Sequence, residues 1–343
     1  MDDIISNSRM LDLSAQEPAT HIEQSRTSIK TKRLSSENNV FFDEVTCGLN
    51  QQQKTLPCKY FYDEKGSKLF EDICSLPEYY VTRTELALLE NIKDELAIMI
   101  GKNATIIEPG AGAGIKIRTL LQALNSPELY VPLDISRDFL FYSAEVIQKK
   151  FPDIDIMPIQ GDFTNPVKWL GKKESSNRIV FFPGSTIGNF KNNQAVSFLS
   201  NMHQLIGENG AMIIGVDLLK EQTILESAYD DAEGVTAAFN KNLLSRINHE
   251  LNADFNLNLF EHEAFLNHQK SRIEMHLVST KNQTVNINGE KFIFSANETI
   301  HTENSHKYSI ESFLKLASQA KLKKVKTWSD ENNYFSIHYL VRV

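Results

Sequence analysis

Cysteine is scarce in this chain. Three thiols in 343 residues (Cys47, Cys58 and Cys74) are too few and too irregularly spaced for a disulfide framework or a structural zinc site. The nine histidines include no H-E-x-x-H pair, and His262 and His268 fall off a shared helical face, so no metal site is expected. No apolar run approaches the roughly 20 residues that cross a bilayer, which argues against a membrane role. Basic charge is also in deficit: 36 Lys and Arg stand against 44 Asp and Glu, a net charge of −8. Nucleic-acid binders usually carry the opposite balance, so no nucleic-acid partner is expected. Asp2 and Asp3 occupy the place where a secretory signal needs basic residues, and no apolar segment follows. The expectation is a cytoplasmic protein with reduced thiols, acting as a monomer on a small molecule.

The 41% apolar and 23% charged content is that of an ordinary globular protein. The length suits one large α/β domain with an insertion, or two domains. The chain is organised around residues 104–134, ATIIEPGAGAGIKIRTLLQALNSPELYVPLD. Thr105-Ile106-Ile107 reads as a buried parallel strand. Glu108 and Pro109 follow, then Gly110, Gly112 and Gly114 on alternate positions. A helical apolar spacing comes next (Ile117, Leu120, Leu121, Leu124), then a second strand that ends on Asp134. Strand, glycine turn, helix, strand, acid is the first half of a nucleotide-binding βαβ unit. Glycines let the backbone turn and let a ligand approach closely. Asp134, about twenty residues past Gly114, stands where such folds hold a ribose hydroxyl pair. Dehydrogenases favour G-x-G-x-x-G; the E-x-G-x-G-x-G here is similar to the first motif of S-adenosylmethionine (SAM) methyltransferases.

Before this unit, residues 1–38 are polar and read as a flexible tail. Residues 39–80 have a helix and a dense aromatic stretch, with Asp63 to Gly66 opening a second helix that Leu76-Pro77 breaks. Thr82 or Thr84 is expected to cap the next helix. After Asp134 comes a helix capped by Ser136, then a third strand from Asp155 to Ile159. Asp162 and Phe163 just beyond it suit adenine recognition, by a carboxylate and a covering ring. Arg178 to Phe182 is a fourth strand, and its carboxyl end delivers Gly184, Ser185, Thr186 and Asn189 to the mouth of the sheet. Ala211 to Val216 is the fifth, closed by Asp217. Residues 220–255 read as helical. Residues 273–280 and 290–295 alternate like an antiparallel pair, and the polar stretch 298–309 links that pair to a last helix and a terminal β-hairpin.

Five stretches in this order, LPCKYFYDEKGSKLFEDICSLPEYYVTRTE, EPGAGAGIK, GSTIGN, AYDDAEGVTAAFNKN and HTENSHKYS, resemble the histidine-specific SAM-dependent methyltransferases from about residue 40 onward. The resemblance implies a Rossmann-like class I methyltransferase sheet, α/β in class, with a smaller α+β substrate-binding domain. Residues 81–219 would form the SAM-binding core, 220–305 the inserted substrate domain joined by 39–80, and 306–343 the completing helix and hairpin. It implies SAM contacts at Tyr62, Gly110, Gly112, Lys116, Asp134, Asp162 and Phe163. It implies a histidine pocket of Tyr79, Gly184, Asn189, Tyr229, Met275, Glu303 and Ser305. Tyr229 would contact the substrate carboxylate, and Glu303 and Ser305 the imidazole. Tyr62 and Asn189 would orient the amine during catalysis. The implied reaction is threefold Nα-methylation of L-histidine to the trimethylated betaine, the first step of ergothioneine biosynthesis. The loop departs from the serine- and threonine-rich version of some members. Relatives acting on other aromatic amino acids, or a SAM-binding paralogue without turnover, are the alternatives.

Overall fold

The structure, a computed structural model, describes residues 39–164 and 177–343; the expected tail, 1–38, lies outside them. Residues 39–49 form helix α1, which buries Phe41, Val45 and Leu49. A short strand β1 (Lys54–Thr55) and a single 3-10 turn (Cys58–Phe61) lead to α2 (Glu64–Ser75). Asp63 caps α2, accepting from the Gly66 amide at 2.6 Å. Helix α3 (Tyr80–Ile100) begins earlier than its threonines suggest. Tyr79 is its first flanking residue and makes no side-chain cap, so neither Thr82 nor Thr84 is a cap. Pro77 breaks the chain just upstream, and Tyr80 is drawn into the helix by a buried bond described below.

The βαβ reading holds. β2 (Thr105–Pro109), α4 (Ile115–Ala123), β3 (Leu129–Asp134) and α5 (Arg137–Lys150) follow in turn. Ser136 flanks α5 as expected, though its hydroxyl makes no cap bond. The expected third strand is two fragments, β4 (Asp155–Ile156) and β5 (Ile159–Gln160). Pro158 between them has no N–H to give to a ladder. β6 (Arg178–Phe182), α6 (Asn192–Ile206) and β7 (Ala211–Asp217) complete the parallel part.

Past β7 the region expected to be helical divides into α7 (Gln222–Ser227) and α8 (Val235–Glu250). Asp231 makes the break: its carboxylate accepts from the Val235 and Thr236 amides at 2.9 and 2.7 Å and so starts α8. Then come β8 (Phe260–Asn267), β9 (Arg272–Ser279), β10 (Gln283–Ile287), β11 (Glu290–Phe294), β12 (Thr299–His306), α9 (Ile310–Gln319), β13 (Leu322–Ser329) and β14 (Phe335–Arg342). The central sheet runs β13-β14-β7-β6-β2-β3-β4, with β14 antiparallel to β7 and the strands from β7 to β4 parallel. β2 and β7 are buried along their whole lengths, which is why they read as unbroken apolar runs.

Two expectations for the inserted region are corrected. The strand at 273–280 does not pair with 290–295; β9 lies between β8 and β12, and β10 pairs with β11. The polar stretch after 298 is not a connection but strand β12. Thr302 and Ser305 are buried and hydrogen-bonded by their side chains to Asn240 and Tyr229, so polarity is no sign of a loop there. β1 joins β12 in parallel, Lys54 opposite Ile300, which closes a four-stranded sheet β1-β12-β9-β8. One apolar core runs from the central sheet (Ile106, Ile213) through Phe61 and Phe239 to Leu277 of this smaller sheet. A second core lies on the opposite face of the central sheet, under α6 and α9, with Phe198 and Phe313.

Candidate active site

The glycine loop joins the tips of β2 and β3. Gly110, Gly112 and Gly114 all have positive φ (70°, 52° and 63°), the region an L side chain resists. The Gly112 amide donates to Asp134 Oδ2 at 3.1 Å and the Ser136 amide to Oδ1 at 2.9 Å. Burial raises the Asp134 pKa, and these amides oppose the rise. Asp134 is thus a poorly solvated acceptor at the end of a strand, suited to a pair of hydroxyl donors. A Cβ at Gly110 would come within 3.2 Å of the Phe163 ring, which packs edge-on to Phe182, Phe190 and Phe198. A Cβ at Gly112 would meet nothing. Asp162 accepts from the Thr164 amide at 2.9 Å and lies 3.4 Å from Lys59. Carboxylate, open glycine backbone, second acid and ring lie in succession along the strand tips, and this set fits SAM.

A group that no motif announced stands beside the loop. Glu85, buried on α3, pairs with Lys116 at 2.6 Å and accepts from the Gly184 amide at 2.8 and 3.0 Å. Gly215 makes room for it, since a Cβ there would lie 2.0 Å from the carboxylate. Lys116 and Gly184 therefore meet each other at the mouth of the sheet. Glu108, at the start of the loop, is also buried; burial pushes it up to about 8, against the opposing bond from the Tyr130 hydroxyl.

The opposite wall comes from the smaller sheet. After β6 the chain turns through Ser185 (φ 57°) into a 3-10 turn, Thr186–Asn189, which points Asn189 into the cleft. β12 lies directly on this turn. A Cβ on Gly188 would stand 2.9 Å from the His306 carbonyl oxygen, so only glycine admits the strand here. A bulge at Thr302 resets β12, and Thr302 bonds Asn240 at 2.7 Å. From there Glu303, Ser305 and Lys307 alternate along one face, as a strand requires. Met275 pairs with Glu303 in register and is buried. The Ser305 and Tyr229 hydroxyls lie 2.7 Å apart, and the buried Lys307 ammonium donates to both, at 2.8 and 2.9 Å. Its third contact is Asp217 at 2.6 Å.

Asp217 closes β7 and accepts also from Tyr80 (2.8 Å) and Lys220 (2.6 Å). Burial alone would raise its pKa, but Lys307 and Lys220 outweigh burial and hold it low. Burial likewise works against the Lys307 ammonium, and Asp217 and Tyr229 overcome it, so its pKa rises. Tyr79 packs edge-on to Tyr229 and Phe70. Tyr62 packs on Phe70 and Phe239. Burial first, then the charges of Glu303 and Asp134, push the Tyr62 phenol well above its ordinary pKa.

Cys58, Ile135, Asp162, Asn189 and Glu303 line a single cleft of about 1970 Å³. Of the expected site residues, Asp162, Asn189 and Glu303 line it. Glu85, Asp217, Tyr80, Lys220 and Lys307 are the groups the sequence reading missed. For Lys307 a signal existed: residues 303, 305 and 307 keep the strand period. For Glu85 there was none, because an acid among charged helix residues looks solvated.

The match to known proteins covers the described chain almost from end to end. A family model described as histidine-specific methyltransferase, SAM-dependent, matches residues 41–342. The chain belongs to this family. It is a SAM-dependent methyltransferase, mixed α/β with a largely parallel central sheet, and SAM is its cofactor. It is 38% identical to a histidine N-alpha-methyltransferase of Mycolicibacterium smegmatis, over 87% of this chain and 94% of that one. It is 30% identical to ergothioneine biosynthesis protein 1 of Neurospora crassa over 84% of this chain, which spans 33% of that longer protein. A family relative with a different named substrate, a 4-dimethylallyltryptophan N-methyltransferase of Epichloe festucae var. lolii, is 27% identical over 90% of this chain and 96% of that one. Among the described residues no helix is long and apolar enough to cross a membrane.

Proposed function

We propose that this chain methylates the α-amino nitrogen of L-histidine, three times in succession, as the first step of ergothioneine biosynthesis. The observation that carries this reading is the convergence on β12. Glu303, a half-buried carboxylate, and Ser305, a buried hydroxyl, stand on one strand face. Glu303 lines the cleft with Asn189, and its charge and that of Asp134 both act on Tyr62. Such a pair suits a ring that has hydrogen-bonding nitrogens, and rejects one that leaves the acid and the hydroxyl unpaired.

Gly110, Gly112, Asp134, Asp162, Phe163 and Lys116, the last through its place at Gly184, would hold SAM. When bound it supplies a methyl group on a cationic sulfur. The chain needs to position a neutral amine, and alignment of this kind contributes roughly 7–11 kcal/mol. Desolvation in the cleft favours the neutral amine. Tyr62, its pKa raised by burial, stays a phenol and cannot act as a phenolate base at neutral pH. It and Asn189 orient the nitrogen by hydrogen bonds, and water takes the proton. In this reading 39–80 and 220–305 together form the substrate-binding unit around the 81–219 core and the 306–343 closing segment. The free thiols Cys47, Cys58 and Cys74 suit a reducing, cytoplasmic setting; the proposed state is a monomer, which sedimentation would check. The test of function is mass spectrometry of products from purified protein, SAM and the twenty amino acids. Trimethylhistidine is the expected product. A methylated product of another amino acid, with histidine unchanged, would favour the alternative substrate class that the tryptophan-derived relative exemplifies.

A further inference from the structure

We propose that Lys307 is a positioning residue that dictates which way the Ser305 and Tyr229 hydroxyls point, so that Ser305 only accepts from the substrate ring and the ring shares a further proton with Glu303. The proposal rests on histidine being the ligand.

An ammonium has three hydrogens and no lone pair. Those of Lys307 are all engaged, with Asp217, Tyr229 and Ser305. Each hydroxyl has one hydrogen and two acceptor sites. Lys307 takes one acceptor site on each oxygen. The bond between the two oxygens takes one hydrogen and one acceptor site. What remains for a ligand is one hydrogen on one oxygen and one lone pair on the other; the pair cannot donate twice. A substrate carboxylate only accepts. The phenol of Tyr229 is the stronger donor of the two, and the Lys307 cation beside it strengthens it further. Tyr229 therefore donates to the carboxylate, Ser305 donates to Tyr229, and Ser305 is left with a lone pair toward the ring. The ring must then present an N–H to Ser305.

Glu303, two residues away on the same face, meets the other ring nitrogen. A carboxylate facing N–H, or a carboxylic acid facing a bare nitrogen, both place a proton between them. The nearby titratable groups are poor homes for it: the His301 ring, 2.9 Å from the Glu303 carbonyl oxygen, is lowered to about 4 by burial. Lys307 lies one residue past the end of the strand, Cys58 and Tyr62 on and after the turn before α2, Tyr79 at the start of α3, and Tyr229 after α7. Lys307 is already protonated, and Cys58, pushed up to about 12 by burial, stays a neutral thiol. Burial of Glu303 acts in the same direction, raising it to about 7.

The test is calorimetry in buffers of differing ionisation enthalpy, near pH 8, with protein loaded with S-adenosylhomocysteine. The probe is Nα,Nα,Nα-trimethylhistidine, whose quaternary amine has no proton to lose. The wild-type protein should take up about one proton per ligand bound. Glu303→Gln should still bind, because its amide can donate to a bare nitrogen, but with uptake near zero. Lys307→Met should also lower the count, since Ser305 is then free to donate. No uptake by the wild-type protein, or equal uptake by Glu303→Gln, would overturn the proposal. If S-adenosylhomocysteine binds but neither histidine nor its trimethyl form does, the substrate reading has failed instead.

Discussion

The buried acid at 303 should make the ligand-free protein less stable than it could be, in a pH-dependent way. Glu303 keeps its proton up to about pH 7 in the folded state, whereas an ordinary glutamate releases it near 4.5. Between those values the folded chain binds more protons than the unfolded one, so stability falls as pH rises and the loss is complete above 7. At about 1.4 kcal/mol per tenfold change in proton affinity, the full effect is about 3 kcal/mol. The carboxylate is partly open to the cleft, and solvent there trims it to about 1–3 kcal/mol. Glu303→Gln keeps the shape and cannot ionise. It should therefore melt about 1–4 °C above the wild-type protein near pH 8, with the gap closing toward pH 4.5. Thermal melts of SAM-free protein across this range check it, and the difference between the two proteins cancels every other titrating group. A gap that does not change with pH would refute the argument, as would a less stable variant at pH 8. Glu303→Ala should raise the KM for histidine by about 10- to 150-fold, the loss of a charge-assisted hydrogen bond, with SAM affinity nearly intact. Stability given up at this position is thus what binding recovers.

Asp134→Ala should weaken SAM by about 1.5–3 kcal/mol in a direct titration; an unaltered affinity would move the cofactor elsewhere. Gly188→Ala puts a methyl 2.9 Å from the His306 carbonyl oxygen and 3.1 Å from its nitrogen, and should lower urea stability by about 1–3 kcal/mol; a neutral result would mean that β12 can shift off the turn. Glu85→Ala strips Lys116 of its partner and the Gly184 amide of its acceptor. It should destabilise by about 2–4 kcal/mol in the same assay, and an unchanged midpoint would show the network to be dispensable.

The cofactor half of the molecule was legible because its rules are local. A buried parallel strand needs continuous apolar residues, and a turn with positive φ needs glycine. An acid must follow within one βαβ unit, so Asp134 could be placed by distance along the chain alone. The third strand failed at Pro158, whose missing N–H outweighs the apolar residues around it. The substrate half obeys rules that are not local. β12 is a strand in spite of its composition, because Thr302, Ser305 and Lys307 find partners on α8, after α7 and at the tip of β7. No window of sequence contains both ends of those bonds.

The same physics explains why β12 was read as a connection and why it specifies the pocket. A strand that carries an acid and a hydroxyl on one face, with an ammonium just past its end, cannot be apolar, and each such group left unpaired in the interior costs stability. Ser305 and Lys307 are paired by protein groups: Ser305 by Tyr229 and Lys307, and Lys307 by Asp217. Glu303 gains only the distant charge of Lys307 against its burial. The one member of the face held largely uncompensated is the one turned to the cleft. An unmet buried carboxylate of this kind is stable only as the complement of something that brings donors to it. On the proposed function, substrate choice in this chain then rests on what β12 leaves unsatisfied rather than on what the central sheet provides.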